Sequence, residues 1–76
     1  MTTLGEYRVR ITFNPGKDPV VDAIKRAAAD LIDLVSDIAT TADATGSEVN
    51  RLKALAMTCV EEAAMWAVKA ATNARD

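Results

Sequence analysis

The chain has 76 residues, half of them hydrophobic but only three aromatic (Tyr7, Phe13 and Trp66), with a formal net charge of −2. That length allows one domain with a marginal core, for which oligomerisation is a common source of extra burial. The acidic balance argues against electrostatic binding of duplex nucleic acid, and one cysteine without any histidine leaves no obvious zinc or haem ligand set and no internal disulfide.

Neither an apolar run of about 18 residues nor a signal-peptide h-region is present, so a soluble, cytoplasmic protein with no membrane partner is expected. Charge is unevenly placed. From Met1 to Gly16 the only charged side chains are Glu6, Arg8 and Arg10, whereas Asp22, Asp30, Asp33 and Asp37 make the middle acidic.

Residues 1–17 form an N-terminal segment with two readings. Thr3-Leu4-Gly5-Glu6 has capping-box spacing, and Leu4, Tyr7 and Ile11 would share a helical face. Yet Tyr7, Val9, Ile11 and Phe13 alternate with Arg8, Arg10 and Thr12, which is a strand pattern. A lone strand would need a partner that this chain does not offer, and the residues leave a short helix and an extended arm both open. Asn14-Pro15-Gly16-Lys17-Asp18-Pro19 then breaks any helix, and Asp18 before Pro19 starts a new one.

The first long helix is predicted over residues 19–40. Ile24, Ala28, Leu31, Val35 and Ile38 form its apolar seam, widened by Val20, Ala27 and Leu34 on one flank and Val21 and Ile32 on the other. Arg26, Ala29, Asp30, Asp33 and Asp37 make the face expected to be solvated. Gly46 is read as the turn, with Ser47 capping a second long helix over residues 48–73. That helix carries two adjacent stripes: Val49, Leu52, Ala56, Cys59, Ala63, Trp66 and Ala70 in one, and Met57, Val60, Ala64, Ala67 and Ala71 in the other. One hairpin partner covers a single stripe, so the second implies self-association. The expected fold is an all-α antiparallel two-helix hairpin, a single domain over residues 1–76, assembled as a homo-oligomer.

Catalytic chemistry finds no support in these residues. Without histidine there is no nucleophile–base pair, and Cys59, in an apolar seam, is expected to be a small buried residue. Neighbours on a helix point about 100° apart, so Glu61 and Glu62 cannot share a proton; they are expected on a solvated face, with at most an intersubunit salt bridge. Asp33 and Asp37 lie one turn apart but lack a third metal ligand. No phosphate-cradling glycine motif is present. The protein is therefore expected not to be an enzyme.

Binding chemistry is more visible. Arg8, Arg10, Phe13 and Asn14, followed by Lys17 and Lys25, gather cations for phosphate, an aromatic for base stacking and an amide for a base edge. The plainer alternative makes Phe13 a lid on the hairpin and the arginines solubilising charges. Trp66 reads as an interface anchor.

The run Arg10-Ile11-Thr12-Phe13-Asn14-Pro15-Gly16, followed by Asp22-Ala23-Ile24-Lys25 and later by Glu61-Glu62-Ala63-Ala64-Met65-Trp66-Ala67-Val68-Lys69, carries a resemblance. It is similar to the small phage anti-CBASS proteins that act as cyclic-nucleotide sponges, and to the helical-hairpin domain they share with an anti-Thoeris sponge family. The resemblance implies a hexamer that sequesters cyclic di- and trinucleotides, uncleaved and without a cofactor, in the cytoplasm of the infected bacterial host. It implies ligand sites between protomers, with Phe13, Asn14, Lys25, Lys69 and Thr72 in places comparable to the family's binding residues. The family's late arginine has only Lys69 or Arg75 to stand for it here. The candidate ligand-binding set is thus Arg8, Arg10, Phe13, Asn14, Lys25, Lys69 and Thr72. The alternative functions are a helical oligomer that binds a partner protein and a small nucleic-acid-associated regulator.

Overall fold

Local capping chemistry decides where each helix begins. In a computed structural model that describes residues 1–74, the chain is all-helical, with α1 at Leu4–Val9, α2 at Pro19–Ser36 and α3 at Ala44–Asn73. The two readings of the head resolve in favour of helix. Thr3 Oγ1 accepts from the Glu6 N–H at 3.1 Å while Glu6 Oε1 accepts from the Thr3 N–H at 3.0 Å, a complete capping box that a strand could not use.

α1 is short because Arg10 adopts a left-handed conformation (φ 57°). Its N–H donates to Tyr7 O at 3.2 Å and the Ile11 N–H to Glu6 O at 3.0 Å, which closes the helix in a Schellman arrangement. A non-glycine residue held there costs about 1–2 kcal/mol. The 3₁₀-like turn that follows brings the Phe13 N–H to Arg10 O at 2.9 Å.

α2 starts as expected, with Asp18 Oδ1 accepting from the Val20 N–H at 2.9 Å and Pro19 in the first turn. It ends at Ser36, four residues before the predicted 40. Lys53, reaching across from α3, donates to Ser36 O at 2.9 Å and Ile38 O at 2.6 Å. A cation thus satisfies terminal carbonyls that a longer helix would have paired internally. α3 in turn begins at Ala44 rather than at the predicted 48. Asp43, not Ser47, is its N-cap, accepting from the Gly46 N–H at 2.9 Å and the Thr41 hydroxyl at 2.6 Å. Gly46 is therefore inside the first helical turn. It is needed there because a Cβ would sit 1.5 Å from Thr41 O.

The long helices run antiparallel. Val35 and Ile38 lie with Val49 and Leu52 at one end, and Lys25 with Ala64 and Val68 at the other. The core between them and α1 consists of Val9, Ala28, Ala29, Ile32 and Ala64, with Ile11, Ile24, Met57 and Val60 partly buried around it. The packed row of α2 is Val21, Lys25, Ala28 and Ile32, rotated from the expected seam: Leu31 and Leu34 face outward.

Ala29, expected in solvent, is fully buried because α1 lies on that side of α2. Gly5 makes this possible. A Cβ there would be 2.0 Å from Ala29 O, and the Gly5 N–H donates to Asp33 Oδ1 at 2.7 Å. An ion pair between Arg26 and Glu6 at 2.8 Å closes the same seam. On α3 the Met57–Val60–Ala64 stripe faces the hairpin, and Leu52, Cys59 and Trp66 of the other stripe are exposed. The expectation of a buried Cys59 therefore fails: Val49 and Ala56 of its stripe lie beside Val35 and Ile38 of α2, but Cys59 itself is exposed.

Gly5→Ala is expected to lower stability by about 1–3 kcal/mol, because the added carbon meets a main-chain carbonyl that cannot yield; chemical denaturation measures this, and an unchanged midpoint would mean that α1 does not sit on α2 in solution. Acid should act at the same seam. The Thr3 N–H first, then Arg26, hold the Glu6 carboxyl below its ordinary 4.5. Its stabilising contribution is therefore complete above pH 4.5 and is lost as pH falls through the lower folded value. Glu6→Gln, which keeps the capping acceptor, should show a flatter acid limb in pH-dependent melting, and an identical limb would exclude Glu6 as its source.

Candidate functional site

The end of α1, the turn after it, the early part of α2 and the middle of α3 enclose an open cleft of about 400 Å³. Val9, Ala64, Met65 and Val68 give it an apolar floor, and Arg8, Arg10, Phe13, Lys25 and Glu61 provide the rest of its lining. Three cations face one carboxylate there, although the whole chain is acidic.

Each polar group is held differently. Arg8 comes from the last turn of α1 and donates through Nε to Glu61 Oε1 at 2.8 Å, with Nη2 3.5 Å from Thr58 Oγ1. Glu61 thus stays partly solvated but pairs within its own chain, because α1 folds back far enough to bring Arg8 over α3. The pair is partly exposed, so it locates α1 more than it stabilises the fold. Arg10, fixed by its left-handed backbone, places its guanidinium over the Tyr7 ring, 5.5 Å from the centroid.

Lys25 is the buried cation, only 7% exposed. Its ammonium donates to Arg10 O at 2.9 Å and to Phe13 O, and it sits 5.3 Å from the centroid of the Phe13 ring. Burial lowers its pKa, and the nearby Asp22 carboxylate works in the opposite direction. An ammonium has three hydrogens, so one is left for a further acceptor. Phe13 itself is 68% exposed.

The structure thus gathers Arg8, Arg10, Phe13 and Lys25 from the predicted set. Asn14 stands beside the cleft but not in its lining. Its amide donates to Asp18 O and Asp22 Oδ1, both at 2.8 Å, and its carbonyl accepts from the Asp18 N–H at 3.1 Å, so its side chain braces the loop. Lys69 and Thr72 lie further along α3, outside the cleft. Lys69 lies over the exposed Trp66 ring at 5.4 Å, and the Thr72 hydroxyl donates to Val68 O at 2.9 Å. Arg75 falls outside the described residues. The floor residues were missed by sequence reasoning, although Glu61, Ala64, Met65 and Val68 have the three-and-four spacing of one helix face.

Cys59 is not in the cleft lining, Asp33 is engaged by the Gly5 N–H, and among the described residues no three side chains of the metal-ligating types cluster. No helix among the described residues is long and apolar enough to cross a membrane. A double-mutant cycle on Arg8 and Glu61, read by denaturant unfolding, should give a coupling of about 0.2–1 kcal/mol that falls in high salt. A coupling of zero would show that the pair does not form in solution.

The family model described as Acb2/Tad1, hairpin domain matches residues 6–72. This is the anti-CBASS and anti-Thoeris sponge family that the sequence resembles, whose members sequester ligands. No curated protein and no solved structure matches the chain.

Proposed function

The chain belongs to this hairpin family, and from that premise we propose that it sequesters cyclic di- or trinucleotides without cleaving them, withholding an immune signal from bacterial anti-phage defence. The family points to a sponge-type anti-defence role in general. The observation that carries the finer reading is the convergence of Arg8, Arg10 and Lys25 with the exposed ring of Phe13 on one apolar cleft.

A cyclic dinucleotide presents two phosphate charges and two flat bases. In this reading Arg8 and Arg10 face phosphate, Lys25 adds positive potential, and Phe13 stacks on a base. The cleft's volume lies toward the lower end of ligand pockets, which span about 300–1,000 Å³. One chain therefore encloses only part of such a ligand, and a homo-oligomer completes the cage. Lys69 and Thr72, which lie outside the cleft of their own chain, would then serve a neighbour's site, and Asn14 would reach a base edge only by giving up a loop contact. The hexamer implied by the sequence resemblance and a location in the infected host's cytoplasm belong to this reading.

The chain's shape supports self-association. Its radius of gyration is 14.4 Å and its extents are 50 × 25 × 12 Å, against about 11 Å for a compact chain of this length. It exposes 5380 Å², where about 4,500 Å² is typical of this mass. The exposed Leu34, Leu55 and Trp66 also favour the second reading, a helical oligomer that docks a partner protein.

Calorimetry with cyclic di-AMP, cyclic di-GMP, cyclic GMP–AMP and cyclic tri-AMP, paired with sedimentation of the same samples, separates the two. Binding with intact nucleotide recovered after heat denaturation is the expected outcome. A stable oligomer that gives no heat with any of the four would favour the partner-docking reading, and a linearised product would make the protein an enzyme. Phe13→Ala should weaken binding by about 1–3 kcal/mol, roughly 5- to 150-fold, while the sedimentation coefficient stays unchanged.

A further inference from the structure

Tyr7 has no place in the core and none in the lining of the cleft, and it is 63% exposed. Among the described residues the partner of its ring is the guanidinium of Arg10, 5.5 Å from the centroid, within the range of a cation–π contact. The same tyrosine also holds Arg10 by the backbone, since its carbonyl accepts the Arg10 N–H at 3.2 Å. One residue of α1 thus fixes Arg10 at two points. The first is the main chain, where the left-handed conformation ends the helix, and the second is the charged head.

The two arginines of the cleft differ in what holds them. Arg8 is tied through its N–H donors, with Nε on Glu61 Oε1 at 2.8 Å and Nη2 3.5 Å from Thr58 Oγ1. An arginine secured in that way has donors already engaged and a carboxylate beside it. Arg10 is secured over an aromatic ring instead, and no side-chain hydrogen bond or ion pair engages its guanidinium among the described residues.

We infer that Tyr7 is a positioning residue that acts through Arg10: its ring holds the guanidinium at the rim of the cleft with the N–H fork open to two oxygens of one phosphate. A flexible arginine loses side-chain freedom when it takes an anion, and a contact made beforehand takes that loss before the ligand arrives. An aromatic suits position 7 because a carboxylate there would hold the guanidinium only by engaging its donors and offsetting its charge. The phosphate belongs to the cyclic-nucleotide reading, on which the inference rests, whereas the stack is a property of the free protein.

In the ligand-free protein, ring current from Tyr7 should displace the Arg10 side-chain proton resonances upfield of their ordinary positions. Tyr7→Phe keeps the ring and should keep the displacement, and Tyr7→Leu should abolish it. Ordinary Arg10 resonances in the wild type would overturn the inference whether or not any nucleotide binds.

The second arm uses a member of the four-nucleotide panel that binds the wild type. Tyr7→Leu should weaken its binding about 2- to 5-fold, the scale of an exposed cation–π contact, while Tyr7→Phe leaves it unchanged. In the Arg10→Ala background, which keeps a non-glycine residue at the left-handed position, Tyr7→Leu should cost nothing further. Arg10→Ala should also make the affinity less dependent on salt, and Tyr7→Leu should not, because the charge stays when the ring goes. Equal losses in both backgrounds would overturn the positioning role and make Tyr7 a contact of the ligand or of a neighbouring copy, which sedimentation tells apart. If none of the four nucleotides binds, the proposed function fails while the resonance shift still decides whether Tyr7 holds Arg10.

Discussion

The contact on which the most depends is the one between Gly5 and the backbone of Ala29. Absence of a side chain at residue 5 lets α1 lie directly on α2, and the Gly5 N–H finds Asp33 at 2.7 Å only at that separation. A six-residue helix has almost no stability of its own, so its direction comes from this seat, from the capping box, and from the ion pairs of Arg26 with Glu6 and Arg8 with Glu61. Once it is seated, Arg8 falls within reach of Glu61 on α3, and the turn after α1 falls over Lys25 on α2. The cleft is thus a consequence of one close approach, since all of its charged rim except Glu61 and Lys25 arrives on the segment that Gly5 allows to dock.

A second constraint is the poverty of the core. Among the described residues Ile32 is the one large side chain that is completely buried, and alanines fill much of the remaining contact between the helices. Small residues let backbones approach closely but remove little apolar area per residue from water. The large apolar side chains were instead placed outward: Leu31, Leu34 and Ile38 on α2, and Leu52, Leu55 and Trp66 on α3. A chain with this distribution gains by covering those faces with further copies of itself, which is the arrangement that a ligand too large for one cleft also demands. Under the proposed function, stability and ligand capture would draw on the same association, and a small sponge chain would need no deep pocket.

Much of this was legible in the sequence, and the failures have specific causes. Local signals were sound where the chain itself satisfied them: Thr3 with Glu6, and Asp18 with Pro19, start helices as their spacing predicts. The prediction erred where one helix supplies what another lacks. Lys53 caps α2 from a distance of 17 residues along the chain, and no window on α2 alone reveals that. Gly46 looked like a turn residue, but its use is a close approach to Thr41 inside a helix. The rotation of α2 that buried Ala29 depends on α1 docking, which the ambiguous head could not announce. The site shows the same division. Its cations and aromatic ring were visible as residue types, whereas the apolar floor on α3 required the register between helices, and Lys69 and Thr72 proved to lie beyond the cleft of their own chain.

The three cations of the cleft are not equivalent, and the difference bears on how the proposed site would hold an anion in an acidic chain. Arg8 is neutralised in part by Glu61, and Lys25 spends two hydrogens on carbonyls. Arg10 has no carboxylate or carbonyl acceptor for its guanidinium among the described residues, and it rests on the Tyr7 ring. Stacking holds a guanidinium in place without consuming its in-plane donors, so the planar fork remains available for two phosphate oxygens at once. The backbone strain accepted at Arg10 fits this proposed role. A left-handed residue at the end of α1 would ordinarily be glycine, and glycine would close the helix at lower cost but would carry no charge into the cleft.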